Sequence, residues 1–374
     1  MEGVTVTRGR PGVLVAAHLP PPVHGMSVAT AAFVEALKEE ASKSDTQLSI
    51  HRISADSNRT QIGHHLERIG RVLTAVVSLL RHRHSLTSLY VSVDADFGMI
   101  YTMALCGAAR LCHITSYAHH HSASYLGQAP KWRVQLLCRV AGPAAHHIMA
   151  CPDAVERFES IYPKSEIDLV PMWFAINDPS PSRQRVKPTP SHVTIGHMSN
   201  LRLEKGLKDV FDTADSLAAR GIPTRLVLAG QPRSEQESAF LALQGDHDRF
   251  VLDYRGPVFG RDREDFFADI DVFVFPSVYR HEYTPLVLGE SIARGIPIVT
   301  RETICCRKEF FERAGLVLHD DADFVAESAK WIEDLLNIED MWDSLSAGMI
   351  KFKCEFKEAG DRASEVARNI LGIL

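Results

Sequence analysis

DVFVFPSVYRHEYTPLVLGESIARGIPIVTR, Asp271 to Arg301, is the stretch that decides the fold. Val272 to Phe275 is a short apolar run closed by Pro276-Ser277, the pattern of a strand buried on both faces, as in a parallel sheet covered by helices. A polar loop follows, then an apolar helical segment containing Glu290, then Gly295-Ile296-Pro297 and a second apolar run, Ile298 to Thr300. That order spells a β-loop-α-β unit, whose loop falls at the carboxyl edge of the sheet, where open α/β folds bind ligands. Glu282 and Glu290 sit across this loop and helix start. Taken alone, two glutamates are more often a solvated loop residue and a helix residue; on a βαβ unit at a sheet edge the weighting reverses.

Outward from this unit the same alternation continues. Val193 to His197, Thr224 to Ala229 and Phe250 to Tyr254 read as strands, and SNLRLEKGLKDVFDTADSLAARG as a loop and helix, so residues 179–355 predict a doubly wound parallel sheet. Before it, Pro171, Pro179, Pro181, Pro188 and Pro190 concentrate in a polar stretch without periodicity, which marks a linker near Asn177 to Ser191. Residues 1–178 repeat the pattern, with strands expected at Val13 to Ala17, Leu48 to Ser54, Leu89 to Val93, Ile114 to Ala118, His147 to Ala150 and Ile167 to Val170. Long helices are expected at Ile62 to Leu80 and Phe97 to Arg110, and Ser27 is the expected N-cap of the first helix. At the other end, Phe324 to Leu336, Asp340 to Phe352 and Ala359 to Leu374 have helical pattern, residues 356–374 forming a last helix that can pack back on the first domain. The expected fold is therefore α/β, two Rossmann-like domains facing each other across a cleft.

At 374 residues the chain exceeds one ordinary core, which agrees with two domains. Composition is that of a globular protein, 45% hydrophobic and 24% charged, and a net charge of -6 gives no basic excess for nucleic acid. The seven cysteines show no C-x-x-C pair, so neither a disulfide framework nor a zinc site is suggested, and a cytoplasmic location is expected. No apolar run approaches the roughly 20 residues that span a bilayer. Arg68, Arg71, Arg81 and Arg83 near the apolar stripe of residues 62–80 leave peripheral contact with an inner membrane face as an alternative to an ordinary surface helix.

Two loops of the first half carry chemistry. HLPPPVHGMS holds Gly25 at a helix start, where free N–H groups can accept a phosphate, although the G-x-G-x-x-G fingerprint of dinucleotide sites is absent. His119-His120-His121-Ser122 closes a strand. In extended chain His119 and His121 share one side and His120 takes the other. No carboxylate or cysteine stands at a local ligand spacing, so a neutral imidazole that orients or deprotonates a hydroxyl fits better than a metal site, with plain hydrogen bonding to a loop as the alternative.

Two Rossmann-like domains, the proline-rich hinge, the S-N-L-R-L-E-K-G loop and Glu282-x7-Glu290 followed by A-R-G-I-P-I-V-T together resemble the family 4 retaining glycosyltransferases of the GT-B fold, over nearly the whole chain. The resemblance implies transfer of a sugar from a nucleotide-diphosphate-sugar to an acceptor hydroxyl on a bacterial polysaccharide or lipid-linked glycan. It implies that Glu290 accepts hydrogen bonds from the donor ribose, that Glu282 lies against the donor sugar, and that the backbone of Thr284, Pro285, Leu286 and Val287 holds the diphosphate. Lys205 would supply positive charge to the leaving diphosphate, Gly25 would let the first-domain loop approach the phosphates, and His121, with His119, would face the reacting sugar. Asn200 stands where the family commonly has arginine, with Arg202 two residues on, and Pro285 lacks an N–H where the family offers one. No cofactor or metal is implied; Asp94-Ala95-Asp96 has the letters of a metal-binding D-x-D but lies in the first domain and reads as a loop or helix cap. A sugar-nucleotide epimerase and a non-catalytic sugar-nucleotide-binding protein are the competing readings.

Overall fold

The computed structural model describes residue 10 and residues 12–55, 61–127, 131–176, 187–188, 191–244 and 248–373. The expected linker, apart from residues 187, 188 and 191, lies outside the described residues. The chain forms two compact units, Met1–Ala175 with Lys357–Leu374, and Ile176–Phe356.

The first unit runs β1 (Gly12–Ala17), α1 (Gly25–Ser42), β2 (Gln47–Arg52), α2 (Gln61–His82), β3 (Leu86–Ser92), α3 (Met99–Leu111), β4 (Thr115–His119), α4 (Trp132–Ala141), β5 (His146–Met149), α5 (Pro152–Ile161) and β6 (Glu166–Leu169). All strands are parallel, in the order β2-β1-β3-β4-β5-β6. Every residue of β1 is buried because helices cover both faces, which is why GVLVAA is apolar throughout. Connections β1 to β2 and β2 to β3 run in opposite directions along the sheet, so the carboxyl ends of β1 and β3 flank a switch point.

The second unit runs β7 (Val193–Met198), α6 (Leu207–Ala219), β8 (Thr224–Ala229), α7 (Glu235–Leu243), β9 (Val251–Tyr254), α8 (Gly260–Asp269), β10 (Val272–Phe275), α9 (Leu286–Ala293), β11 (Ile298–Arg301), α10 (Lys308–Phe311), β12 (Gly315–Leu318) and α11 (Phe324–Asn337). Its strands are parallel in the order β12-β11-β10-β7-β8-β9, reversing between β7 and β10. The apolar runs of the opening stretch are β10 and β11, buried throughout.

A final helix, α12 (Glu339–Leu371), is continuous over 33 residues where two helices are expected from the sequence. The segment between them, KCEFKE, contains no proline or glycine, so nothing breaks the backbone ladder. Its last turns complete the first unit: Ala363, Val366, Ala367, Ile370 and Leu371 pack with Val13 and Val15 of β1 and with Phe33, Val34 and Leu37 of α1. Burying side chains of this size contributes about 1.5–3 kcal/mol each for the larger ones.

Two further differences from the sequence reading have local causes. The N-cap of α1 is His24, not Ser27; the His24 ring accepts from the Ser27 N–H, and the Ser27 hydroxyl accepts from the His24 N–H, a reciprocal cap in which Ser27 is the third helical residue. The short strand β12 has little pattern of its own and is set by backbone packing, since a Cβ on Gly315 would lie 1.9 Å from the Ile298 carbonyl oxygen.

Candidate functional site

In the second unit the loops after β7 and β10 leave the sheet at its switch point. The β7 loop makes a short 3-10 turn, Leu203–Lys205, and ends at Gly206 with φ +79. A Cβ there would sit 2.3 Å from Pro276 Cγ and 2.5 Å from its carbonyl oxygen, so glycine is what allows the two loops to touch. The Val278 N–H donates to the Glu204 carbonyl at 2.9 Å and ties them further. This contact brings Lys205 onto Glu282: the ammonium pairs with the Glu282 carboxylate, and the Ser277 hydroxyl donates to the same carboxylate at 2.8 Å. Both charged side chains are mostly buried, and the Lys205 ammonium lies 4.8 Å from the centre of the Tyr279 ring. Such a pair adds little net stability, because the cost of desolvating both charges offsets their attraction.

Beneath the cluster, His197 crosses the switch point. Its Nδ1 donates to the Val274 carbonyl of β10, and its Nε2 meets the Ser199 hydroxyl, each at 2.9 Å. Burial drives its pKa down to about 4, so the ring is neutral and serves as a brace.

Thr284, Pro285, Leu286 and Val287 open α9, with Pro285 as N-cap. The Leu288 N–H is taken by the Pro285 carbonyl at 3.0 Å, while Leu286 and Val287 are first-turn positions whose N–H groups have no intrahelical acceptor. The Thr284 hydroxyl is buried with no partner. Further along α9, Glu290 is clamped by Arg263 of α8, a residue with no motif to mark it. Burial raises the Glu290 carboxyl above its ordinary range, against the pull of Arg263 and Arg294. Arg263 Nε is buried without a partner, so this corner holds a donor that the protein leaves unused. Arg202 is half-buried, with its guanidinium 5.5 Å from the Tyr279 ring and Glu204 as a distant ion partner, and Asn200 is exposed on the loop. Lys205, Glu282 and Ser277 thus converge, whereas Glu290 belongs to a separate group with Arg263.

In the first unit, Gly25 is the first residue of α1, and an added Cβ would meet no protein atom within 4 Å. The three histidines divide as a two-residue period requires. His120 turns inward, bonding the Tyr125 hydroxyl at 2.7 Å and His147 at 2.9 Å. His119 and His121 lie together, ring centres 4.3 Å apart. His119 is fully buried and bonded through Nδ1 to the Tyr90 hydroxyl at 2.8 Å, and burial lowers its pKa to about 3. His121 keeps some exposure, meets the Thr30 hydroxyl at 3.2 Å, and has Nδ1 free of any partner. Burial, reinforced by the nearby rings of His119, His18 and His24, holds it well below the ordinary imidazole range.

At this unit's own switch point stands a triad that sequence reasoning passed over. Asp94, just beyond β3, pairs with His18, just beyond β1, at 2.9 Å and with Arg68 of α2 at 2.7 Å. Burial alone would raise the Asp94 carboxyl; the His18 ring and Arg68 guanidinium outweigh it and hold the pKa below the usual value. The D-x-D letters therefore mark a buried ion pair, and no cluster of three or more His, Cys, Asp or Glu side chains among the described residues could hold a metal ion. Only a distance pattern spanning three elements could have revealed the triad.

Residues 190–337, which hold the Lys205–Glu282 cluster and Glu290, match the family model for glycosyl transferases group 1. No curated protein matches the sequence. Among solved structures, the sucrose-phosphate synthase of Thermosynechococcus elongatus superposes with a TM-score of 0.67 at 14% identity, covering 98% of this chain and 100% of that one. An Escherichia coli trehalose-6-phosphate protein bound with UDP-2-fluoro glucose gives 0.66 at 13% identity, covering 97% and 99%. WaaG, a glycosyltransferase involved in lipopolysaccharide biosynthesis, gives 0.63 at 14%, covering 96% and 99%. The chain is a two-domain α/β protein of the GT-B fold, with residues 190–337 of its second unit similar to the glycosyl transferases group 1 model.

Proposed function

We propose that this protein is a retaining glycosyltransferase that moves a sugar from a nucleotide-diphosphate-sugar, bound by the second unit, to an acceptor hydroxyl bound by the first. The observation that carries the proposal is the Lys205–Glu282–Ser277 cluster at the β7/β10 switch point, beside an α9 start that offers an unpartnered Thr284 hydroxyl and two free first-turn positions. The group 1 match over the same residues supports sugar transfer.

In this reaction the bond from the anomeric carbon to the diphosphate breaks, and a bond from that carbon to the acceptor oxygen forms on the same face. The acceptor proton passes to the departing phosphate oxygen. The charge that develops on the diphosphate is met by Lys205, Arg202 and the start of α9, which needs no metal. Glu282 holds the Lys205 ammonium in place and presents its remaining acceptor sites to sugar hydroxyls. Glu290 accepts from the ribose, with Arg263 fixing its carboxylate. His121, partly exposed and with an unpartnered Nδ1, is the histidine assigned to the acceptor hydroxyl, and the buried His119 supports its ring. Glycans and lipid-linked glycans are the acceptor class in this reading.

Acceptor-dependent release of nucleoside diphosphate, measured in chelator, tests the reaction. The expected result is release only when acceptor is added, with Glu290→Ala folded but crippled in donor use. An epimerase would convert its sugar nucleotide without acceptor, and a sensor would bind without turnover; either outcome, or unchanged activity in Glu290→Ala, overturns the proposal.

A further inference from the structure

Helix α2 is apolar on two sides. Its inner side, Val72, Ala75 and Leu79, is buried against the sheet. Its outer side carries Ile62, Leu66, Ile69, Leu73, Val77 and Leu80, all exposed and spaced three or four residues apart along the whole helix. Among the described residues, this second stripe stays exposed. The surface continues sideways, since α2 packs on α3 and α3 on α4. Phe97, just before α3, is 78% exposed, and Trp132, the first residue of α4, is 63% exposed. The Arg133 guanidinium lies against both rings, 4.0 Å from the centre of Phe97 and 4.9 Å from that of Trp132. The starts of these helices are at the carboxyl edge of the sheet, the edge that carries His18 and His121. Six exposed apolar side chains in one row, with Phe97 and Trp132 exposed on the neighbouring helix starts, exceed the scattered single hydrophobics of an ordinary surface and mark an interaction surface.

Charge identifies the occupant. Although the chain is acidic overall, residues 61–141 contain only three carboxylates, of which Glu67 and Asp94 are committed to Arg71 and Arg68. Arg81, Arg83, Arg110, Lys131, Arg133 and Arg139 have no carboxylate partner among the described residues. A second copy of the chain, docking by two-fold symmetry, would set this cationic patch against itself. A bilayer bearing anionic lipids satisfies both features: apolar side chains enter the acyl boundary, arginines meet phosphate groups, and tryptophan sits at the interface. No helix among the described residues is long and apolar enough to cross a membrane. We infer that the α2–α3–α4 face of the first unit docks on the surface of an anionic membrane.

Sedimentation with vesicles tests this. The full chain is mixed with vesicles of phosphatidylcholine, with or without phosphatidylglycerol, in the absence of nucleotide sugar and acceptor, so the outcome is independent of the transfer reaction. The expected result is co-sedimentation with phosphatidylglycerol vesicles, weakened by salt, and a blue shift of tryptophan emission that Trp132→Phe abolishes. Leu66→Gln with Leu73→Gln, both on the outer stripe, should leave the melting temperature unchanged and cut partitioning by about tenfold or more. Wild-type protein that stays in the supernatant, or a double variant that partitions as wild type does, overturns the inference. So does a double variant that is monomeric where the wild type sediments as a dimer, because the face would then belong to a second copy.

Discussion

Replacing Gly206 by alanine probes whether loop contact positions the cationic group of the second unit, and the protein contains its own control. Gly206 and Gly221 have nearly the same left-handed backbone, φ +79 and +81. An alanine in that region costs about 1–2 kcal/mol from backbone sterics alone. At Gly221 nothing lies within 4 Å of the added Cβ, so Gly221→Ala should show only this cost. At Gly206 the Cβ would be 2.3 Å from Pro276 Cγ and 2.5 Å from Pro276 O, against ordinary contacts of 3.4–4 Å, and one loop must move by about 1 Å. Overpacking of that kind adds about 1–3 kcal/mol. In a unit of this size each kcal/mol lowers the melting temperature by roughly 2–4 °C. Gly221→Ala should therefore melt about 2–8 °C below wild type, and Gly206→Ala lower again by a similar amount. The movement also carries Lys205 off the Glu282–Ser277 cluster, and a displacement of about 1 Å in a positioned group can cost on the order of a hundredfold in turnover. Differential scanning fluorimetry and turnover with the nucleotide sugar that stabilises the wild type measure both effects. If Gly206→Ala melts with Gly221→Ala and keeps wild-type turnover, the loops do not set the position of Lys205.

One further substitution and one change of condition follow from the structure. Gly25→Ala puts a Cβ where no protein atom lies, so its melting temperature should match wild type while diphosphate-dependent turnover falls at least about tenfold; equal turnover would remove Gly25 from the phosphate site. Acid should destabilise the protein through its buried histidines. His119 titrates near 3, and His147 and His197 near 4, against an ordinary 6.5, so between these values the unfolded chain binds more protons and stability falls as pH drops. Each group should cost about 2 kcal/mol between pH 7 and pH 5. His146, raised by its bond to Asp168, works the other way: its contribution is present below the ordinary value and fades as pH rises through the raised one. With His119 and His147 in the first unit and His197 in the second, a flat melting temperature between pH 7 and pH 5 would contradict the burial of these rings.

The sheets were legible because their strands are short apolar runs punctuated by proline and glycine; Val272–Phe275 and Thr224–Ala229 match the observed strands residue for residue. What escaped was set by contacts between distant residues. Lys205 and Glu282 are 77 positions apart and meet only because Gly206 lets Pro276 approach. Asp94 had the letters of a metal motif, but its partners, His18 and Arg68, come from other elements and change its chemistry to that of an ion pair. Arg263 sits in the polar run GRDREDFFAD, where nothing local distinguishes it from its neighbour Arg261, which is exposed. The histidine run was readable as far as its alternation, while the burial of His119 and the partial exposure of His121 depend on Phe33, Tyr90 and Thr30.

The closing turns of α12 bear on how the protein is made. A ribosome releases residues 1–175 first, yet the core of that unit lacks Ala363, Val366, Ala367, Ile370 and Leu371 until all of Ile176–Phe356 has been synthesised. During that interval the inner face that Phe33, Leu37 and Val15 share with these residues is uncovered. The second unit is then the first that vectorial synthesis can finish, and a nascent chain stalled before residue 357 exposes an apolar groove of the kind that chaperones hold.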